Sequence, residues 1–331
     1  PVLLFIVGLI CLIKGGDWFV DGAIGLARRF HVPEILIGAT VVSIGTTLPE
    51  VMVSAASALE GHGQIAYGNA IGSVICNTAL ILAITIAIKP AKAAAKDIYL
   101  SAAFFFAAAI VYVLSAYVFK TFSRTTGIIL LVMFTAYMII SVRKSMKISK
   151  AENERTFLSS DESSSSDEDM TGFKNSFILV IIKLVAGAAL IAVGADLLVD
   201  NGTLIAEGLG VPESVIALTF VALGTSLPEL VTAITSLVKG HGSLSLGNII
   251  GANLFNIVLV SGTAITISPF SVPAEKMIGG MNASFVVDIP VMLAVMVILC
   301  LPALLKEKLY RWQGILLLAV YVCFTAFQFF I

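Results

Sequence analysis

The sequence predicts an all-α polytopic membrane protein of ten transmembrane helices, arranged as two inverted-topology repeats of five. Three observations predict it. Hydrophobic residues fill 58% of the 331 positions and charged residues 12%, more apolar surface than a water-soluble core of this length encloses. The apolar runs fall into segments of about 20 residues, enough to cross ~30 Å of hydrocarbon at ~1.5 Å per residue. Finally, Gly15 to Leu80 matches Gly194 to Leu259 at a constant offset of 179 without a gap. Five helices per half is an odd number, so the second half enters the membrane from the opposite side.

In chain order, helices are expected near 1–28, 34–60, 64–88, 97–119, 125–142, 175–206, 212–238, 243–268, 283–304 and 311–331. The first and sixth are long for a bilayer and are expected to tilt. Pro1 opens directly in an apolar run with no basic n-region, so the segment reads as a first transmembrane helix rather than a signal peptide. Residues 1–142 form the first five-helix repeat and 175–331 the second. Between them, 143–174 has a basic start and an acidic, Ser-rich run, Ser159 to Asp169, with too few apolar residues to fold, and reads as a disordered cytoplasmic linker.

Basic residues near helix ends set the orientation. With odd-numbered loops inside, the cytoplasmic face holds most of the Lys and Arg, and Lys120, Arg124 and Lys276 alone lie outside, Lys14 and Lys183 being within helices. Both termini then face outward, in a plasma (inner) membrane. A net charge of −1 with no basic patch gives no hint of nucleic acid. Cys11, Cys76, Cys300 and Cys323 lie in apolar runs without metal or redox spacing and read as buried free thiols. His31, His62 and His241 fall in short connections and read as loop residues.

The chemistry sits in a doubled motif, Gly45-Thr46-Thr47-Leu48-Pro49-Glu50 and Gly224-Thr225-Ser226-Leu227-Pro228-Glu229. Pro49 and Pro228 have no N–H, so the carbonyls of Gly45 and Gly224 lose their helical partners. In hydrocarbon such groups need protein, water or an ion. Thr46 precedes Glu50 by four residues on one helical face, as Thr225 precedes Glu229, and the next helices repeat the spacing with Ser73 and Asn77, and Ala252 and Asn256. This is an oxygen ligand set suited to calcium, which takes ~6–8 oxygens in irregular geometry. Two ionised glutamates balance one divalent cation, and emptied they repel until monovalent ions or protons replace it, which is a basis for exchange. A charge at mid-membrane costs ~2.5–3.5 kcal/mol even on a lenient scale, and neither motif has a basic residue to offset it. By contrast, Lys14, Asp17, Asp21, Asp196 and Asp200 read as helix-end or inter-helix contacts, and Asp288 as an interfacial residue.

On these residues the chain resembles the cation/calcium antiporter superfamily, and within it sodium/calcium exchangers of prokaryotic type. The first motif with Gly68-Asn69-Ala70-Ile71-Gly72-Ser73, and the second with Gly247-Asn248-Ile249-Ile250-Gly251-Ala252, look like its two alpha repeats. The resemblance covers the chain outside the acidic linker. It implies calcium and sodium sites at the centre, and alternating access in which the first and sixth helices slide against the rest. It also implies carboxylate ligands at Glu50 and Glu229, and hydroxyl ligands at Thr46, Thr47, Ser73, Thr225 and Ser226. An amide falls at Asn77, and backbone carbonyls near Ser43 and Ala222. Two departures are Ala252, where relatives often have serine, and Asn256, where some have an aspartate that accompanies potassium co-transport.

The expected function is an electrogenic sodium/calcium antiporter that extrudes calcium, with sodium and calcium as transported ions. It is not an enzyme, and it calls for no cofactor and no obligatory protein partner beyond the bilayer. A calcium/proton or other divalent-cation/proton antiporter is the runner-up. A sodium-coupled solute symporter is disfavoured by the paired glutamates and the scarcity of aromatic residues near the motif.

Overall fold

The computed structural model describes residues 1–331 apart from 91–93, 160–167, 210–223, 275–276 and 331. The described helices are α1 Val2–Arg29, α2 Glu34–Leu59, α3 Gly63–Ile88, α4 Ala95–Phe119 and α5 Arg124–Ser159. They continue with α6 Glu168–Gly208, α7 Leu227–Val238, α8 Gly242–Ile267, α9 Ser284–Lys306 and α10 Arg311–Phe330. Among the described residues, eight helices are long and apolar enough to cross a membrane. The protein is an integral, multi-pass membrane protein. Four two-residue strands outside these helices qualify the all-α expectation: Thr121–Phe122 pairs antiparallel with Phe270–Ser271, and Met277–Ile278 with Met281–Asn282.

Helix α8 is central, with most of its apolar stretch buried in protein, whereas α6 and α1 are largely exposed and lie at the periphery. Their outward residues, such as Ile10 and Ile13 of α1 and Ile182 and Val185 of α6, are exposed, as suits contact with lipid. α1 and α6 pack closely on each other through glycines at seven-residue spacing, Gly8, Gly15 and Gly22 against Gly187 and Gly194. A Cβ on Gly15 would lie 2.8 Å from the Ile191 nitrogen and one on Gly194 2.8 Å from the Leu12 nitrogen. Small residues let two backbones approach where no hydrophobic force drives helix association.

The repeat is visible in the backbone. The turns before α3 and α8 each place a glycine, Gly61 and Gly240, at φ +84°, which only glycine adopts without strain. π-helical segments then begin at Asn77 in α3 and at Asn256 in α8. These two helices run antiparallel. Gly63 at the start of α3 packs on Phe270 just past α8, while Gly242 at the start of α8 shares a small cavity with Lys89 just past α3.

Of the segment 143–174, expected as a disordered linker, 160–167 lie outside the described residues and the remainder is helical. α5 continues through it to Ser159 and α6 begins at Glu168. Arg143, Lys144, Met146, Lys147 and Lys150 are good helix formers, so a helix already nucleated in the apolar part extends into them. All four cysteines are free, but only Cys76 and Cys300 are buried; Cys11 is half-buried and Cys323 is exposed on the outward face of α10. A cysteine in an apolar run can equally well face lipid, which composition alone does not reveal.

Candidate functional site

The two motifs fold differently. α7 begins at Leu227, with Pro228 in its first turn and Thr225 and Ser226 in the turn before it, so the second motif breaks as expected. Pro49 instead lies within the helix Ser43–Leu59, preceded by a π segment at Gly38–Val42, so the expected helix 34–60 runs unbroken through the first motif. α8 packs closely against this helix. A Cβ on Gly247 of α8 would overlap the Ile35 carbonyl, and one on Gly251 would overlap Ala39 and the Ser43 hydroxyl.

Glu50 and Glu229 are both 0% exposed and within electrostatic reach of one another. Among the described residues, none of their four carboxylate oxygens has a hydrogen-bond partner. The same holds for Thr47 Oγ1, Ser226 Oγ, and both amide atoms of Asn77 and of Asn256. These orphans fall in repeat pairs, Glu50 with Glu229, Thr47 with Ser226, and Asn77 with Asn256. Each buried polar group without a partner costs ~1–3 kcal/mol, more if charged. Among the described residues, the hydroxyls of Tyr67, Tyr112, Ser236 and Ser245, with Asn248 Nδ2 and Asn253 Oδ1, are buried without a partner as well. The carboxylate, hydroxyl and amide oxygens concentrated at the two motifs, however, form a donor set that suits a bound cation. Among the described residues no three His, Cys, Asp or Glu converge, so hydroxyls, amides and carbonyls must complete any cation site around the two carboxylates.

The surrounding contacts cross between the halves. Thr46 Oγ1 donates to Asn248 Oδ1 at 3.2 Å, and its repeat mate Thr225 Oγ1 donates to Asn69 Oδ1 at 3.5 Å. Asn69 Nδ2 in turn donates to the Glu50 carbonyl at 3.3 Å and to Ser54 Oγ at 2.9 Å. Ser43, singled out for its carbonyl, uses its hydroxyl, 2.8 Å from the Gly38 carbonyl and 2.9 Å from that of Asn248. Asn69 and Asn248 were missed as site residues, although the recurrence of Gly68-Asn69 as Gly247-Asn248 was the signal that marked them. Asn253, also missed, donates through Nδ2 to Thr78 Oγ1 at 2.6 Å and to Met296 Sδ at 3.2 Å, beside the two orphaned amides. It has no polar counterpart in the first half, so the repeat gave no signal for it.

Ser73, Asn69 and Thr225 reach a cavity of about 490 Å³ between α3 and α10. Asp288 lines the same cavity, its Oδ1 accepting from Gln328 Nε2 at 2.9 Å. Asp288 thus stands at the start of α9 on the wall of this cavity. Ala252 is fully buried and brings a methyl group where Ser73 brings a hydroxyl. Ala222 lies outside the described residues. Asp17 and Asp21 make inter-helix ion pairs, as expected, and Asp196 and Asp200 make none among the described residues. His241 is more than a loop residue, since its Nδ1 lies 2.8 Å from Glu34 Oε1.

Comparison with known proteins bears on the same residues. A family model described as sodium/calcium exchanger protein matches residues 1–143 and 179–330. The sodium/calcium exchanger MaX1 of Methanosarcina acetivorans is 33% identical over 352 residues, covering 99% of this chain and 98% of that protein. A membrane protein of Methanocaldococcus jannaschii is 36% identical over 326 residues, covering 96% of this chain and 94% of that protein. A solved structure of the sodium-calcium exchanger NCX_Mj superposes with a TM-score of 0.77 at 32% identity, covering 98% of this chain and 97% of that one. With the family match spanning both motifs and nearly all of the helical chain, the protein belongs to the sodium/calcium exchanger family.

Proposed function

We propose that this protein is an electrogenic sodium/calcium antiporter that uses inward sodium movement to expel calcium across the plasma (inner) membrane. The observation that carries the reading is the paired set of buried, unpartnered oxygens around Glu50 and Glu229. Calcium takes the two carboxylates with hydroxyl and amide oxygens from Thr46, Thr47, Thr225, Ser226, Ser73, Asn77 and Asn256, and carbonyls near Ser43 and Ala222. Two negative charges balance one calcium ion. Emptied, the carboxylates repel in a low dielectric, so the site changes sides only when sodium replaces calcium, and flux of one ion is coupled to that of the other. More than two sodium ions per calcium moves net charge, each worth ~2.3 kcal/mol per 100 mV. The names of MaX1 and of the NCX_Mj structure, which was soaked with Na+ and Sr2+, support the choice of ions.

In this reading ten helices cross the membrane as two inverted repeats, 1–142 and 175–331, joined by the cytoplasmic segment 143–174. The antiparallel course of α3 and α8 supports inversion. Both termini lie outside. In a variant stripped of native cysteines, Lys120→Cys should label from outside intact cells and Lys147→Cys should not, both positions being exposed. The reverse pattern would invert the topology.

The deciding experiment is calcium uptake into vesicles under an imposed sodium gradient. Uptake is expected with sodium and not with a pH gradient alone; the opposite result would make this a proton-coupled antiporter. Because Asn77 and Asn256 are both neutral, a calcium ion balances the two carboxylates and leaves no charge for a monovalent ion bound beside it. Replacing potassium by choline at clamped voltage should leave the flux unchanged, and Asn256→Asp should introduce a potassium dependence. Loss of wild-type flux without potassium would refute this account of Asn256.

A further inference from the structure

The peripheral pair α1 and α6 is tied to the site helices at one end by Lys239, which follows α7. Its ammonium lies 2.7 Å from Asp21 Oδ1 and 3.3 Å from Asp17 Oδ1, and it donates to the Asp17 carbonyl at 3.0 Å. Asp17 and Asp21, four residues apart, share one face of α1, and Lys183 of α6 reaches Asp21 Oδ2 at 3.5 Å. Lys239 lies ten residues beyond Glu229, about 15 Å along the helix axis at 1.5 Å per residue. The ion pair thus joins α1 to the helix that carries a site carboxylate.

At this point the repeat changes sign. The residue 179 positions before Lys239 is Glu60, and the mates of Asp17 and Asp21 are Asp196 and Asp200. One end therefore holds a lysine between two carboxylates, and the corresponding set at the other end is three carboxylates. Glu60, Asp196 and Asp200 are exposed and form no ion pair among the described residues. The cavity that reaches Ser73 and Thr225 runs beside the first turns of α3, which follow Glu60 in the chain, so these site residues are reached from the end away from Lys239. A larger cavity at the inner end, lined by Pro33, Lys96 and Arg143, includes none of them.

We propose that Lys239 is a positioning residue that latches the α1/α6 pair at the inner end, and that the lack of a matching latch at the outer end makes the two access states unequal. The inference rests on the exchange reading above, in which the site opens to each side in turn. Opening inward breaks the Lys239 contacts and, by repeat symmetry, brings Asp196 and Asp200 toward Glu60, where like charges oppose closure. The outward-open state is favoured on both counts. A ligand's apparent affinity from one face is reduced by the fraction of protein not open to that face. The ratio of inner to outer half-saturating calcium therefore reports the latch directly.

Calcium dependence measured separately from each face of oriented vesicles tests this. Lys239→Gln should lower the inner-to-outer ratio about threefold, a modest change because the pair is partly exposed. Lys239→Arg should keep the ratio near wild type, and Glu60→Lys, which installs a latch at the opposite end, should lower it as Lys239→Gln does. An unchanged ratio in Lys239→Gln, or inner and outer constants moving by one common factor, would overturn the proposal, since a folding defect moves both together. If the wild type shows no sodium-driven flux, the exchange reading fails by itself. The latch is then judged by hydrogen exchange in residues 17–29 of α1: faster exchange in Lys239→Gln supports it, and equal rates reject it.

Discussion

Glu50→Gln and Glu229→Gln are each expected to abolish sodium-driven calcium transport while leaving a folded, inserted protein. Both carboxylates are fully buried, and neither has a protein partner among the described residues that would compensate for its loss. Removing one leaves a bound divalent ion with an uncompensated charge in a low dielectric. Breaking a buried charge pair costs ~3–5 kcal/mol, which is roughly a 10²–10⁴-fold loss of affinity. Stability should respond in the opposite sense. Without calcium the variants lose the mutual repulsion of two carboxylates, so their thermal midpoint in ion-free buffer should equal or exceed that of the wild type, and the upward shift that calcium gives the wild type should vanish. Flux within tenfold of the wild type in either variant would return these glutamates to a structural role.

The second large effect is expected from Gly247→Ala. The new Cβ would overlap the Ile35 carbonyl, a backbone atom that cannot rotate away, at the contact where α8 supports α2. Overpacking of this kind costs ~1–3 kcal/mol and more where backbones must separate. Displacing α2 also moves Thr46 from Asn248, so sodium and calcium dependence should weaken together with thermal stability. The unchanged Glu50 and Glu229 distinguish this from loss of a ligand. A normal thermal midpoint with normal flux would mean that α2 shifts at no cost.

Much of this was legible in the sequence because membrane helices leave strong signals. Long apolar runs gave most of the described helices to within a few residues, except where α5 and α6 extend into the polar segment between the halves. The seventh, expected at 212–238, is a further exception: 212–223 lie outside the described residues and Leu227–Val238 is helical. The site was legible for a different reason. Proline, glutamate and threonine inside hydrocarbon need an explanation, and seeing them twice at one offset supplied it. What the sequence concealed is set by packing. Nothing in the two similar motifs says that Pro49 would be absorbed into a helix braced by Gly247 and Gly251 while Pro228 would begin one. Nor does periodicity reveal that Asp288 lines a cavity, since direction around a helix depends on neighbours that only the fold brings together. Asn69 and Asn248 were visible as repeated residues, but their role as inter-half partners of Thr225 and Thr46 required three dimensions.

The crossed contacts of Thr46 with Asn248 and of Thr225 with Asn69 bear on how such a protein arises. Each half offers its hydroxyl to the amide of the other, so neither half closes its own polar network. A single ancestral half could have completed this set only by meeting a copy of itself inserted upside down in the same bilayer. Fusion of two such copies would make the meeting intramolecular and free each copy to diverge, as the charge reversal between Glu60 and Lys239 already illustrates.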